Sequence, residues 1–151
     1  MAADSLNRET VRDALVTLLQ TALVGAGLPV QAVYGYQVGD AGGQSPAVVV
    51  SSAGSERRYK TMGTNWHDVF YFNVYAFVLY ADSASSWTEA NAEDRIDLIE
   101  KEIADTVMDN RTNANWDIIT IEGPSIVDGV EIGGEEYRRE LTRIKVEKYI
   151  G

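Results

Sequence analysis

The chain has one histidine, His67, followed directly by Asp68, and this pair is the first place to look for acid–base chemistry. Both fall at the start of a segment whose alternation predicts a strand, where neighbouring residues point to opposite faces. The two cannot share one proton, and His67 reads as a satisfied or exposed residue at a strand start. A zinc or iron site would need this one His plus carboxylates, and no His-Glu-x-x-His or similar spacing occurs. Glu93, Asp97 and Glu100 stand at i, i+4 and i+7, so on a helix their carboxylates line one side. Such a row can hold a divalent cation or supply an acid–base pair. Its plainer reading is a solvated acidic face. Asp40-Ala41-Gly42-Gly43 and Gly133-Gly134 lack the Gly-Lys-Ser/Thr of a phosphate loop and the spacing of a dinucleotide fingerprint, so they read as turns. No serine sits in a nucleophile elbow. With no cysteine, disulfides, thiolate zinc sites and thiol nucleophiles are excluded. The expectation is a protein that is not an enzyme and holds no cofactor or metal.

A different chemistry is suggested by Arg57, Arg58 and Lys60 around Tyr59, since cations interleaved with an aromatic can contact nucleic acid. The chain as a whole argues against that use. It carries 13 Lys and Arg against 23 Asp and Glu, a formal net charge of -10. Tight nucleic-acid binding needs a basic face that releases counterions. Three cations on such a chain suit an acidic protein neighbour better.

The element that must organise these groups is the segment 66–80, WHDVFYFNVYAFVLY. Phe70, Phe72, Val74, Ala76 and Val78 form one apolar side; Val69, Tyr71, Asn73, Tyr75, Phe77 and Leu79 form an aromatic, amphipathic one. That is a long strand, ~50 Å if extended at about 3.3 Å per residue. It is too apolar on both sides for an edge, so it should be central, with helices on one face and a second layer or a neighbouring subunit on the other.

The remaining elements follow from periodicity. A helix over 7–24 is capped by Ser5 or Asn7 and ended by Gly25, Gly27 and Pro29. Its apolar stripe is broad enough, with Val16 and Val24, to touch more than its own sheet. Strands are predicted over 30–37 and 47–51, and 52–65 reads as a projecting hairpin or long loop carrying the basic cluster. The turn 81–86 leads into a second helix to about Met108, started by a Ser86-x-x-Glu89 capping box. Ala92, Ile96, Ile99, Ile103 and Val107 make its buried stripe, and Trp87, Asp94, Leu98 and Asp105 lie on the outer side as a candidate contact patch. Strands over 116–122, 126–132 (kinked at Asp128-Gly129) and 137–150 complete the order αβββαβββ. The tight acidic loop Gly133-Gly134-Glu135-Glu136 joins the last two. This is one domain of class α+β, a mostly antiparallel sheet with two helices on one face. The polar start reads as no secretory signal, and no apolar run approaches a membrane span.

The order of elements, with Ala92-Glu93-Asp94-Arg95-Ile96-Asp97-Leu98-Ile99-Glu100 in the second helix and Gly133-Gly134-Glu135-Glu136-Tyr137-Arg138-Arg139-Glu140 entering the last strand, resembles the tail terminator (tail-completion) proteins of long-tailed bacteriophages. The resemblance implies a virion protein assembled in the host cytoplasm. It would form a six-membered ring that caps the tail tube, stops tube polymerisation and offers a surface to a head–tail connector or stopper protein. DNA would pass through the lumen without sequence-specific binding, which fits the net negative charge. No functional residue is carried over from a family motif. From the residues themselves, Arg57, Arg58, Tyr59 and Lys60 are expected at a subunit interface with Trp87, Asp94, Leu98 and Asp105 of the next copy. Gly133, Gly134, Glu135 and Glu136 are expected at the lumen or the tube, and the two loops could exchange those roles. Reversing the charges of Arg57 and Arg58 should then weaken assembly without unfolding the subunit. The alternatives are another tail or neck component (a tube subunit or connector) and a small carboxylate- and metal-dependent enzyme.

Overall fold

The computed structural model describes residues 6–36, 45–59, 66–81 and 86–150. The expected cap Ser5, the Asp40-Gly42-Gly43 turn, Lys60 and most of the 81–86 turn lie outside these residues, as does the Tyr59 side chain. The elements run α1 (Arg8–Leu23), β1 (Ala32–Tyr34), β2 (Ala47–Tyr59), β3 (Trp66–Leu79), α2 (Glu89–Asp109), β4 (Ile118–Ile121), β5 (Ile126–Ile132) and β6 (Glu135–Ile150). The order and the α+β class are those expected. The sheet runs β1-β2-β3-β6-β4, with β5 also paired to β6. Of the directly paired strands only β1 and β2 are parallel. β4 and β5 lie end to end along one side of β6, against residues 144–147 and 135–141.

The long strand is central, as its two apolar sides require. β3 pairs with β2 over residues 66–77 and with β6 along its whole length. Phe70, Phe72, Val74, Ala76 and Val78 are buried under both helices, against Leu15 and Leu19 of α1 and Ile96, Ile99 and Ile103 of α2. The largest fully buried side chain is Trp116, whose indole N–H donates to the carbonyl of Asn110 at 2.8 Å and ties the end of α2 to the start of β4.

Five expectations need correction. Residues 52–59 are not a loop: β2 continues to Tyr59, bent by a bulge between Ser52 and Gly54, where Gly54 adopts φ 145°. The charged run breaks the apolar alternation, but β3 could not be buried along its length without a neighbour this long. The strand expected over 30–37 spans only 32–34. The breadth of α1 needs no outside partner, because Val16 and Val24 pack on the chain's own core. Gly35 allows this: a Cβ there would lie 3.2 Å from Val16 Cγ2. Lastly, the α2 cap is Thr88, not Ser86; its hydroxyl accepts from the N–H of Asn91. No kink breaks β5, whose register with β6 is continuous through Asp128 and Gly129.

Candidate functional site

Both helices pack on one face of the sheet, and no described element covers the other. Cross-strand register fixes what that bare face presents. Tyr34, Val49, Tyr75, Leu141 and Ile126 stand in one row across five strands. Toward the β5–β6 turn the row widens into a satellite cluster, with Val49, Phe77 and Tyr137 buried and Leu79, Val130 and Ile132 packed against them. Arg139 is held within this apolar end. It donates two hydrogen bonds to Asp128 (2.9 and 2.7 Å) and lies 5.5 Å over the Tyr75 ring. The Arg139 hydrogen bonds hold the Asp128 carboxyl below the usual carboxylate range.

The opposite end of the same face is polar. Lys145 stands 3.2 Å from Glu122 and 3.9 Å from Glu147. His67 Nε2 is 2.9 Å from Glu147 Oε1, and its ring stacks on Tyr149 at 4.5 Å. His67 is therefore a buried, hydrogen-bonded residue near the strand start. An open cavity of about 290 Å³ between the two ends is lined by Tyr71, Glu122, Gly123 and Arg143.

Within one chain the expected interface residues do not form a single surface. Arg57 and Arg58 are strand neighbours and point to opposite faces. Arg57 turns to the helix side, where it donates to Asp68 Oδ2 at 2.9 Å and to the Leu6 carbonyl at 3.0 Å; the Leu6 N–H also donates to that Asp68 oxygen. Asp68 is fully buried, so Arg57, itself partly exposed, is committed to it and clamps Leu6, the residue before the α1 cap, onto the sheet. Reversing Arg57 and Arg58 together would therefore act on the fold of the subunit as well as on its surface. Arg58 is exposed and paired with Glu56.

Trp87 is not part of an outer patch either. Its indole N–H donates to the Leu79 carbonyl at 2.6 Å, its ring packs on the core, and Arg95 lies over it. Leu98 and Asp94 are exposed on α2, and Asp105 is paired with Lys101. Gly133 and Gly134, at φ 60° and 82°, form the tight turn expected, with Glu135 and Glu136 exposed beside it.

The acidic row of α2 has a structural role. Glu93 pairs with Arg138 at 2.6 Å. The row stands near Glu140, which faces the helices and is buried, with the Ser125 hydroxyl donating to it at 2.6 Å. No three His, Asp or Glu residues among those described are arranged to hold a metal ion. Burial pushes the Glu140 carboxyl up, helped by the charges of Glu100, Asp97 and Glu93, while Ser125 opposes. A carboxyl with a raised folded pKa weakens the fold once ionised: the cost grows as pH climbs from the ordinary Glu value and is complete above the raised one. Glu140→Gln should therefore raise the thermal midpoint by a few degrees at pH 7 and leave it nearly unchanged at pH 4. Thermal melts at the two pH values check this; an equal shift at both would show that ionisation is not the cause.

No protein-family model matches this chain, and no curated protein matches its sequence. No described helix is long and apolar enough to cross a membrane.

Proposed function

We propose that the chain is the subunit of a ring that caps a bacteriophage tail tube, ends its polymerisation and offers the head-side attachment surface. The observation that carries this is the bare sheet face with two unlike ends. Among the described residues the six-stranded sheet has helices on one side only, which leaves Tyr75, Leu79, Val130 and Ile132 without a second layer, and such a face calls for a partner. A ring between a tube and a connector has a different partner at each end. An apolar end and an ion-paired end on one face suit that position. The exposed acids Glu135 and Glu136 and the net charge of -10 suit a surface past which DNA slides.

Capping is tested directly with the tube protein of the same phage. Tubes polymerised with the chain present should be shorter and carry a ring at one end in negative stain. Unchanged tube lengths with bare ends would overturn the proposal, and incorporation along the tube would make the chain a tube subunit instead.

A further inference from the structure

The two sides of the sheet offer two different open edges. On one side β1 covers only residues 47–49 of β2, so residues 50–58 have no strand beside them among the described residues. On the other side the backbone of Arg111 caps part of β4, accepting from the Ile119 N–H at 3.1 Å, while β5 is paired to β6 alone. β5 is an unguarded edge: Ile126 is 50% and Val127 41% exposed. Such an edge is a ready template for another strand.

We infer that β5 of one copy adds to the free edge of β2 in the next, so that the sheet runs on from subunit to subunit. The inference rests on the ring reading and says which surfaces close it. Three features of the edges fit each other. First, β2 and β5 run in opposite directions, since β2, β3, β6 and β5 alternate. A second copy set beside the first in the same orientation therefore meets it as an antiparallel pair, and the contact is head-to-tail, as rings require. Second, the pairing opposes no like charges: residues 50–54 carry no charged side chain, so Asp128 of β5 meets none there.

Third, the two open stretches are staggered. Register places Ile126 level with Val49, so β5 stands at one end of the sheet and residues 50–58 at the other. Bringing residues 126–130 opposite 50–54 moves Ile126 from the level of Val49 to that of Gly54, which the bulge makes four residues along β3, ~14 Å, across four strand spacings of ~4.8 Å. That corresponds to strands inclined by roughly 35° to the ring axis, at the lower end of the ~35–45° of closed sheets. The hand fits as well. β3 and β4 are parallel strands joined by α2, a crossover that is almost always right-handed. Seen from the helix side with β3 upward, β5 then lies to the right and each next copy climbs, which, with the helices outside the ring, is the lean that right-handed sheet twist produces.

Backbone amide exchange on the assembled protein, compared with the dissociated protein, tests this. Peptides covering 50–58 and 126–132 should slow at least tenfold on assembly, while β3, already paired on both sides, changes little. The variant carrying Ile126→Lys and Val127→Lys should keep its circular dichroism and run as a monomer. Assembly with both edges still exchanging freely, or protection confined to α2, would overturn the edge contact and leave the ring standing. A wild-type chain that stays monomeric at high concentration and beside tube protein would overturn both.

Discussion

Arg57→Glu is expected to destabilise the subunit by about 3 kcal/mol, the scale for breaking a pair whose carboxylate is buried. Asp68 has no exposure to water, and its Oδ2 accepts from both Arg57 and the Leu6 N–H. The substitution removes the cation, places a second carboxylate beside the first and strips the Leu6 carbonyl of its donor. It also removes the guanidinium from above the Phe70 ring, 5.1 Å away. Arg57 is itself about one-third exposed at 35%, so water screens part of the effect and the estimate stays at the low end of the buried-pair range. Arg57→Lys keeps the charge but not the two-pronged contact and should fall between. Urea unfolding of the three proteins checks the order. A loss of less than about 1 kcal/mol would mean that Asp68 finds another donor. Arg58→Glu, at an exposed cation paired among the described residues with Glu56, should change stability by no more than about 0.5 kcal/mol. Arg58 is thus the residue whose charge can be reversed to probe a surface.

The largest single loss should come from Trp116→Ala, about 4 kcal/mol. Trp116 fills the space where α2 ends and β4 begins, is fully buried, and carries the hydrogen bond to the Asn110 carbonyl. Its backbone N–H donates to Asn113 Oδ1 at 3.2 Å. Deleting the indole opens a cavity and leaves a carbonyl without its donor. Trp116→Phe should cost roughly half as much, since most of the volume remains. Denaturant midpoints measure both. Equal losses would place the hydrogen bond, rather than the volume, at the centre of this corner.

The fold was legible where periodicity was strong. β3 announces itself by fourteen residues of alternation, and both helices by stripes such as Val11, Leu15 and Leu19. The 133–136 turn is written in its glycines. Less legible were features set by partners distant in sequence. Nothing local says that Arg57 belongs to Asp68; the pair exists because β2 and β3 place those residues opposite each other. For the same reason Arg57 and Arg58 read as one basic patch along the chain, yet separate to two faces in the sheet. Trp87 has helical spacing with the outer side of α2, but it precedes the helix and folds back on Leu79. The bare face was half legible: the aromatic side of β3 called for a second layer, and the chain's described elements supply none.

Self-association through the sheet is the core of this account, and the absolute mass of the purified protein by light scattering, with negative-stain images of the same peak, tests it most directly. The account predicts closed rings of one size, with a mass that is a whole multiple of the 16.6 kDa chain. A particle of one chain mass that stays so when tube ends are supplied, or filaments that grow without limit, would contradict it.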